Sequence, residues 1–561
     1  MRQAAHYNRC GEDRDTSDPN LEYYARLKCC KRWTSSVRIG VDVGGTNTDA
    51  VIMEGQRVLS SHKAPTTTGL SDGIVNAIST VLAQSGVEAP DVKQVMIGTT
   101  QFTNAFVERR GLLPVGILRI ALPSSRGILP LSDWPEGIAK AVNGQQHLIR
   151  GGYRFDGSIA DPLDESGIAS AARAMRDAGL QTVAITGLFS PVNATMELRA
   201  REIVQEEAPD LAITLSSKIG RMGILERENA AVMNASLAQL SREVIRSFST
   251  ALKQLKIAAP FFISQNDGTL MKAETVAQYP VLTFASGPTN SIRGAACLSG
   301  LDNALVVDIG GTTTDIGVLV NGFPRESSLT VRVGGVRTNF RMPDVLALGL
   351  GGGSLVRTNA SEVRIGPESL GYRVTREALA FGGRTLCATD LAVAGGYANL
   401  GDRSLVKALS ARAAEAGIKR IHEILADGVD RMKTNAAPVP LVLVGGGSVL
   451  VRDDIPGTSE MIVPEHAGVA NAIGASIAQI SGETDRIFAY EATGRESALE
   501  TAVEEARTQA IEMGADAASL ETVDIEELPL AYMPGGAVRI RVKVAGHLAG
   551  DRRLASPRCG S

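Results

Sequence analysis

A short glycine motif occurs twice in this chain: residues 42–49 are DVGGTNTD and residues 308–315 are DIGGTTTD. Each copy lies between two strand-like apolar runs, VRIGVDV and TDAVIM around the first and ALVVDI and TDIGVLV around the second. Two glycines between two such runs are typical of a β-hairpin turn. A dinucleotide-binding motif of the Rossmann type needs a helix after its glycines, so the following strands argue against that interpretation. The repeat therefore predicts two equivalent hairpins.

The residue types of both turns suit the binding of phosphate groups and a divalent cation. Glycines expose backbone N–H groups that can cradle a polyphosphate, and threonines add hydroxyl donors. The residues expected to contact phosphate are Gly44, Gly45, Thr46 and Thr48 in the first copy and Gly310, Gly311, Thr312 and Thr314 in the second. Asp42 and Asp308 each end a strand-like run, and as hard oxygen ligands they are candidates to hold Mg²⁺ and to act in catalysis.

Two further glycine clusters follow apolar runs. Residues 441–450, LVLVGGGSVL, place Gly445, Gly446 and Gly447 where bare backbone can lie against an adenine or a ribose. Residues 349–354, GLGGGS, place Gly351 and Gly352 for the same cleft. Each cluster alone is equally well explained as a tight turn after a core strand. The ordered set of hairpin, hairpin and glycine-rich turn favours ATP bound between two related lobes.

The chain is long enough for three or four units of ~150 residues, and its patterns predict five segments. Alternating helical and strand-like runs over 164–216 predict parallel strand pairing. A single amphipathic pattern over 224–256 predicts one long helix, and the C-terminal tail is expected to hold a helix over 495–513, two short strands and an unstructured last dozen residues. The segments are a disordered extension (1–36), an N-terminal lobe with the first phosphate motif (37–223), a linking helix with a substrate-side segment (224–300), a second lobe with the second phosphate and adenosine motifs (301–480), and a short α/β tail (481–561).

Composition excludes several classes of partner. The formal net charge is −4 and the sequence has no basic stripe with interleaved aromatics, so nucleic acid is not an expected partner. Apolar runs fall short of the ~18–20 residues that span a bilayer, which predicts no membrane association. The six cysteines form no C-x-x-C pair, which is typical of reduced thiols and a cytoplasmic location. The six histidines are scattered, which disfavours a zinc site.

The ordered motifs resemble the hydantoinase A/5-oxoprolinase family, within the superfamily of actin, heat-shock chaperones and sugar kinases. The resemblance covers residues 37–480 and implies an α/β fold of two related actin-like ATPase lobes, each a ribonuclease H-like mixed sheet flanked by helices, with a cleft between them. The motifs that carry it are GVDVGGTNTDAV, IGTTQFTNAFVERRG (97–111), ILERENAAVMNASL (224–237), SQNDGTLM with FASGPTNSIRGAA (264–296), DIGGTTTD, LGLGGGS and PEHAGVANAIGA (464–475).

The resemblance also implies a function and a set of residues on the substrate side. It implies an ATP-dependent hydrolase, or its ATPase subunit, that uses ATP and Mg²⁺ to open a cyclic amide such as a hydantoin or 5-oxoproline by phosphorylating the amide carbonyl. Thr100, Asn104, Glu108 and Arg109 match a signature beside the presumed substrate. A solvated charged helix face explains Glu108 and Arg109 equally well. A second hydantoinase-type subunit is the implied partner, in a hetero- or homo-oligomer.

Several alternatives stay open at this point. The same fold supports a small-molecule kinase or an acetone-carboxylase-like subunit, and also a non-catalytic ATPase switch that reactivates a partner enzyme. Either Asp42 or Asp308 could act as the base. The chain also departs from the family pattern: it has Asn266-Asp267-Gly268 where Gly-Gly often follows Ser-Asn, SGPTNS (286–291) for the usual SGPAGG, and only a short tail after residue 480. These differences concern the substrate rather than the nucleotide.

Overall fold

The structure of this protein is a computed structural model that describes residues 36–45, 47–65, 70–327, 330–358, 363–531, 533 and 535–549. The predicted disordered extension (1–36, apart from Ser36) and the predicted unstructured segment (the last dozen residues) lie outside this range. No helix within the described ranges is long and apolar enough to cross a membrane.

Strands account for both hairpins and for most of the core. In chain order they are β1 (Val37–Val43), β2 (Asn47–Glu54), β3 (Arg57–Pro65), β4 (Val92–Thr99), β5 (Val115–Leu122), β6 (Asn143–Arg150), β7 (Gly152–Tyr153), β8 (Ile159–Asp161), β9 (Thr182–Gly187), β10 (Ala212–Leu215), β11 (Phe261–Ser264), β12 (Thr269–Lys272), β13 (Ala304–Ile309), β14 (Thr314–Val320), β15 (Phe323–Pro324), β16 (Val331–Val333), β17 (Val336–Thr338), β18 (Val345–Leu348), β19 (Ser354–Thr358), β20 (Val363–Ser369), β21 (Val439–Val444), β22 (Thr458–Ile462), β23 (Gln479–Ala489), β24 (Glu521–Pro529) and β25 (Ala537–Gly546).

Helices connect these strands and cover the sheets. In chain order they are α1 (Leu70–Ser85), α2 (Gln101–Val107), α3 (Glu136–Val142), α4 (Glu165–Asp177), α5 (Thr195–Glu207), α6 (Ile224–Ser236), α7 (Ala238–Gln254), α8 (Ala273–Gln278), α9 (Ser286–Ser299), α10 (Val374–Glu377), α11 (Ala388–Ala394), α12 (Ala411–Met432), α13 (Ala470–Ile477), α14 (Tyr490–Thr493) and α15 (Arg495–Glu512).

The two glycine motifs lie in two sheets with the same local topology. In the first sheet, β1 pairs antiparallel with β2 on one side and parallel with β4 on the other. In the second sheet, β13 pairs antiparallel with β14 and parallel with β21. Helices flank both sheets, so the chain has the predicted α/β fold of two related lobes. The prediction of two equivalent hairpins is confirmed.

A separate sheet is inserted into the first lobe. Its strands have the order β10-β9-β5-β6 and all pair in parallel. Helix α4 buries Ile168, Ala172 and Met175 on one face, and the Asp164 side chain caps its first turn by accepting the Gly167 N–H. The predicted parallel pairing over 164–216 is therefore confirmed.

The prediction of one long helix over 224–256 is wrong, because the helix is interrupted at Leu237. The Leu237 N–H donates to the carbonyl of Asn234, three residues back, so the last turn of α6 is tightened before α7 begins. Asn234 is itself held by neighbouring elements, since its amide donates to the Thr214 hydroxyl and to the Gln278 carbonyl. Neither glycine nor proline marks this break in the sequence.

The C-terminal tail belongs structurally to the first sheet, whose strand order is β24-β25-β23-β12-β11-β4-β1-β2-β3. Strand β23 begins at Gln479 and crosses the predicted segment boundary at residue 480. Helix α15 packs on β23 and β25 through a stripe of alanines, Ala498, Ala502, Ala506 and Ala510. The two tail strands that were predicted to be short, β24 and β25, are 9 and 10 residues long. A third strand of the tail, β23, was not predicted. The division of the chain into five segments stays a prediction.

A cluster of ion pairs ties the tail to the rest of the chain. Lys543 on β25 lies 2.9 Å from the carboxylate of Asp267, and Arg541 pairs with Glu326. Asp267 is buried, and Lys543 and Arg341 hold its pKa below the usual range despite that burial. Because breaking a buried ion pair leaves an uncompensated charge, these contacts fix the tail in place.

Helices α9 and α13 cross each other between the two lobes at backbone contact distance. Helix α9 packs on β13 and β14 of the second lobe, and α13 packs on β1 and β4 of the first. A Cβ built on Gly474 would lie 1.8 Å from the carbonyl oxygen of Asn290, and one on Gly294 would lie 1.9 Å from that of Ala470. Only glycine allows so close a crossing, which explains these positions in the FASGPTNSIRGAA and PEHAGVANAIGA motifs.

Candidate active site

Both hairpin turns and both glycine clusters border one cavity of about 440 Å³ between the lobes. Its wall includes most of the residues predicted to bind nucleotide or metal, namely Asp42, Gly44, Gly45, Asp308, Gly310, Gly311, Thr312, Gly352, Gly445, Gly446 and Gly447. Apolar side chains line another part of the wall, among them Val374, Phe381, Leu400 and Val449. The cavity thus combines a polar region at the turns with an apolar region suited to a planar base.

The two hairpin turns are closed by equivalent hydrogen bonds. The Gly44 N–H donates to the carbonyl of Asn47 at 2.9 Å, and the Gly310 N–H donates to the carbonyl of Thr313, also at 2.9 Å. Gly45 and Gly311, one residue on, are exposed in the cavity wall. The internal repeat of the sequence is therefore an internal repeat of backbone structure.

The glycine clusters pack backbone to backbone on the second hairpin. The N–H groups of Gly352 and Gly353 donate to the carbonyls of Gly310 and Gly311 at 3.0 and 2.7 Å. Gly447 donates to the carbonyl of Ile309 at 2.7 Å. Gly445 has a φ of +86°, and a Cβ there would lie 2.2 Å from Asp308 Oδ1. Any side chain at this position would therefore displace the carboxylate.

Amide and hydroxyl groups from α9 and α13 hold the two strand-end carboxylates. Asp42 Oδ2 accepts from the Asn471 side-chain amide at 3.0 Å, and Oδ1 accepts from the Asn290 amide at 3.4 Å. Asp308 Oδ2 accepts from the Ser291 hydroxyl at 2.5 Å. The helix crossing therefore positions both carboxylates. The sequence patterns did not predict these three residues, although two of them lie where SGPTNS departs from the usual SGPAGG.

The cavity contains two further carboxylates, from the last aspartate of each motif copy. Asp49 lies opposite Lys63 across β2 and β3, and Lys63 Nζ is 2.6 Å from Asp49 Oδ2. Asp315 lies at the equivalent position of the second hairpin, where its cross-strand neighbour on β18 is Ala347. Both aspartates were visible in the repeated motif but were not predicted as site residues.

Burial makes the carboxyl groups of the cavity weaker acids than usual. It raises the pKa of Asp42 to about 6, with a further contribution from nearby Asp49, and the amides of Asn290 and Asn471 oppose this shift. Burial also raises the pKa of Asp308, against the Ser291 hydrogen bond. The pKa of Asp315 rises to about 7 through burial and the neighbouring Asp308. A bound cation would reverse these shifts, which makes the group a suitable environment for one.

The donor set fits Mg²⁺ rather than a metal held entirely by protein. Within the described ranges, no group of three or more His, Cys, Asp or Glu side chains is arranged to hold a metal ion. Asp42 and Asp308 nevertheless both face the cavity beside the phosphate-binding turns. Mg²⁺ in nucleotide sites usually takes one or two carboxylates and completes its shell with water and phosphate oxygens. These two carboxylates match that pattern.

Several predicted site residues lie outside the cavity wall. The Thr314 hydroxyl donates to the carbonyl of Leu350, and Thr48 is buried. Gly351 is packed against the backbone of Gly311 and Thr312, so it shapes the turn without lining the cavity. Thr46 lies outside the described residues.

The predicted substrate-side signature is divided between the cavity and the surface. Thr100 lines the cavity and precedes α2, and the Asn104 amide donates to its hydroxyl at 3.4 Å. Glu108 forms an exposed ion pair with Arg110, and the Arg109 guanidinium lies beside Gly137. Neither Glu108 nor Arg109 lines the cavity, and both lie in the exposed turn after α2, which favours a solvated surface role for this pair.

A second cavity, of about 530 Å³, lies elsewhere between the first sheet and the segment 217–222. Asn266 and Asp267, at the other departure from the family pattern, line it. The two departures therefore lie at two different cavities, and only SGPTNS touches the carboxylates of the candidate site.

Proton binding by these carboxyls predicts that the nucleotide-free protein becomes less stable as the pH rises from about 5 to about 8. Asp42 and Asp315 have folded-state pKa values of about 6 and about 7, above the 3.8 of an unperturbed aspartate. The folded state therefore keeps protons that the unfolded chain has already lost. This stabilisation is complete below pH 4 and disappears as the pH passes 6 and 7.

Asp315→Asn is expected to remove the part of the stability loss that occurs near pH 7. It should raise the melting temperature at pH 8 by about 2 °C or more and change it less at pH 5. Differential scanning fluorimetry across this pH range measures the effect. Asp210→Asn, at an exposed turn, is the matched control and should leave the slope unchanged. Melting curves of wild type and Asp315→Asn that fall in parallel would contradict the prediction.

Comparison with known proteins identifies sequence relatives over most of the chain. The family described as hydantoinase/oxoprolinase N-terminal region matches residues 38–208, and hydantoinase/oxoprolinase matches residues 227–484. The acetophenone carboxylase gamma subunit of Aromatoleum aromaticum is 28% identical over 64% of this chain and 53% of its own length. The caprolactamase subunit alpha of Pseudomonas jessenii is 27% identical over 72% of this chain and 61% of its own length.

The solved structure of the ATP-dependent caprolactamase from Pseudomonas jessenii shares the fold, with a TM-score of 0.73 and 21% sequence identity. The alignment covers 92% of this chain and 88% of that one. This chain thus spans 53% of the length of the acetophenone carboxylase subunit and 61% of the length of the caprolactamase subunit.

Proposed function

This chain belongs to the hydantoinase/oxoprolinase family, and from that premise we propose that it is an ATP-dependent hydrolase of cyclic amides, or the ATPase subunit of one. A hydantoin, 5-oxoproline or a simple lactam is the substrate class. The observation that carries the proposal is the pair of equivalent hairpins facing one cavity, with a carboxylate near the end of the first strand of each hairpin. The caprolactamase relative supports the choice of a cyclic amide.

The chemistry explains why ATP is needed for this reaction. An unstrained amide carbonyl is a poor electrophile and its nitrogen is a poor leaving group. Transfer of the γ-phosphoryl group to the amide oxygen, with ADP leaving, turns the carbonyl carbon into an imidate-like centre that water can attack. The ring C–N bond then breaks as the nitrogen takes a proton, and a second water hydrolyses the resulting acyl phosphate to the carboxylate and free phosphate. Phosphoryl transfer depends mostly on positioning and on stabilising negative charge. A cavity lined by backbone N–H groups and two held carboxylates suits both requirements.

The residues of the cavity have distinct proposed roles. Gly45 and Gly311, with Thr312, bind the phosphates through N–H and hydroxyl donors, while the N–H groups of Gly44 and Gly310 close the turns. Residues 445–447 with the apolar wall bind adenosine. Asn290, Asn471 and Ser291 fix the orientations of Asp42 and Asp308. Thr100, at the wall beside the first turn, is the candidate contact to the cyclic amide. The proposed base is one of the two strand-end aspartates.

Asp42 and Asp308 are the proposed ligands of Mg²⁺, directly or through water. When bound, the ion neutralises negative charge on the transferring phosphoryl group. The carboxylates are held at their positions by hydrogen bonds from two helices, so the protein does not have to order them on binding.

A second subunit is the proposed partner that performs or completes ring opening. Two relatives are named as subunits, alpha of a caprolactamase and gamma of an acetophenone carboxylase. The second of these names also favours another candidate function, in which ATP activates a ketone for carboxylation. Both functions use the same phosphorylation of a carbonyl or enol oxygen, so the substrate distinguishes them.

The test is ATP turnover by the purified chain, with and without the product of an adjacent gene, in the presence of hydantoin, 5-oxoproline, caprolactam, or acetone or acetophenone with bicarbonate. We expect a cyclic amide to stimulate ADP release, with ring-opened product and ADP formed in equal amounts. Stimulation by a ketone with bicarbonate would instead support the carboxylase. Partner-dependent ATP hydrolysis without any small-molecule product would favour an ATPase switch and contradict the proposal.

A further inference from the structure

The two lobes are equivalent in backbone but differ in charge at one pair of positions. In the first hairpin Asp49 is paired across the strands with Lys63, and in the second Asp315 is paired with Ala347. A simple repeat would have a cation at both positions or at neither. The asymmetry places a single ammonium group on one side of the cleft.

The cavity wall has a marked excess of negative charge. Four aspartates line it, Asp42, Asp49, Asp308 and Asp315, and Lys63 is the one positively charged side chain among the described residues of the wall. A nucleoside triphosphate carries close to four negative charges at neutral pH. Since like charges repel strongly in a partly buried site, the nucleotide needs cations beyond the backbone N–H groups.

Lys63 has the geometry of a group that can exchange partners. Its side chain is 38% exposed, while that of Asp49 is 2% exposed. One N–H of the ammonium donates to Asp49 Oδ2 at 2.6 Å, and an ammonium has three such donors. The Asp49 carboxylate is therefore fixed inside the sheet, whereas Lys63 Nζ remains accessible from the cavity.

We propose that Lys63 binds the terminal phosphates of the nucleotide at the first phosphate-binding turn, and that Asp49 competes with those phosphates for the ammonium group. This inference rests on the proposed function only in that the cavity binds ATP. It does not depend on the identity of the amide, the partner subunit or hydrolysis. Asp49 partly neutralises Lys63, so a bound nucleotide has to draw the ammonium group away from this carboxylate.

This competition predicts opposite effects of two substitutions that break the same ion pair. Lys63→Met removes the cation and is expected to weaken ATP binding roughly 10- to 100-fold, the range of a charge-assisted hydrogen bond. Asp49→Asn removes a negative charge beside the phosphates and is expected to tighten binding of metal-free ATP by about 3- to 10-fold. A merely structural ion pair would give the same sign for both variants, because each leaves one partner unpaired.

The experiment measures equilibrium binding of ATP, ADP and AMP by calorimetry, each nucleotide once with EDTA and once with excess Mg²⁺. AMP lacks the terminal phosphates, so its affinity should change less than about 3-fold in every variant. The double variant Lys63→Met/Asp49→Asn should fall between the two single variants. Lys93→Met is the matched control, because Lys93 is exposed on β4 of the same sheet and lies outside the cavity wall. Thermal melting of each variant checks that it is folded.

The possible outcomes separate the two proposals. Opposite shifts for ATP with little change for AMP support the role of Lys63. Shifts of the same sign in Lys63→Met and Asp49→Asn, or equal losses for ATP and AMP, overturn that role while leaving ATP binding intact. Failure of the wild-type protein to bind any of the three nucleotides would contradict the proposed function itself.

Discussion

Asp308→Ala is expected to lower ATP turnover at least about 1000-fold while the protein stays folded. Asp308 ends the central strand of the second lobe, faces the cavity, and is held by the Ser291 hydroxyl. In the proposed mechanism it is one of two protein ligands of Mg²⁺ and a candidate base, and removal of such a group typically costs several kcal/mol of transition-state stabilisation. Steady-state ADP release by a coupled assay measures the effect.

A stability measurement distinguishes loss of a catalytic group from loss of the fold. Because burial raises the pKa of Asp308, the carboxylate destabilises the nucleotide-free protein at pH 8, and Asp308→Ala should melt at the same temperature as wild type or higher. Asp210→Ala, at an exposed turn, should change neither turnover nor melting. Unchanged ATP turnover in Asp308→Ala would rule out the proposed site, and a large drop in melting temperature would show that Asp308 is needed for the fold.

Gly474→Ala is expected to destabilise the protein by about 2 kcal/mol or more, although alanine favours a helix over glycine by up to about 1 kcal/mol. The new methyl group would lie 1.8 Å from the Asn290 carbonyl oxygen and 2.7 Å from its carbon, which are backbone atoms of α9. These atoms cannot rotate away, so α9 and α13 must separate. Chemical denaturation followed by circular dichroism measures the loss.

The matched control is Gly127→Ala, because a Cβ at Gly127 would meet no atom within 4 Å. It should leave stability within about 0.5 kcal/mol of wild type. If the Gly474 variant is soluble, it should also lose ATP affinity, since α9 and α13 carry the groups that hold Asp42. A Gly474→Ala protein as stable as the control would show that the close crossing of the helices is not required.

Much of the fold follows from sequence periodicity. The glycine motifs, the strand-like runs around them and the alternation over 164–216 predicted the hairpins, the lobe topology and the parallel sheet. The break at Leu237 could not be predicted, because it arises from hydrogen bonds of Asn234 to distant elements rather than from a local helix breaker. The joining of the tail to the first sheet was likewise hidden, since strand patterns do not identify their pairing partners.

Only the part of the candidate site that has a local sequence pattern was predicted. Backbone-binding glycines and strand-end aspartates have a local pattern, and most of them line the cavity. Asn290, Ser291 and Asn471 act across more than 15 residues of sequence, and nothing local identifies them as partners of the aspartates. Thr48 and Thr314 failed to reach the cavity because side chains alternate along a strand, so only every second residue of the hairpin faces the cleft.

The crossing of α9 and α13 also determines how the two halves of the molecule can move. Backbone touches backbone at two places about one helical turn apart, so the helices can neither slide nor rotate against each other there without steric clash. Asn290 forms one of these contacts, and Ser291 and Asn471 are next to residues that form them. The groups that hold Asp42 and Asp308 therefore belong to one rigid contact between the lobes. A change in the width of the cleft elsewhere would leave the distance between the two carboxylates nearly constant.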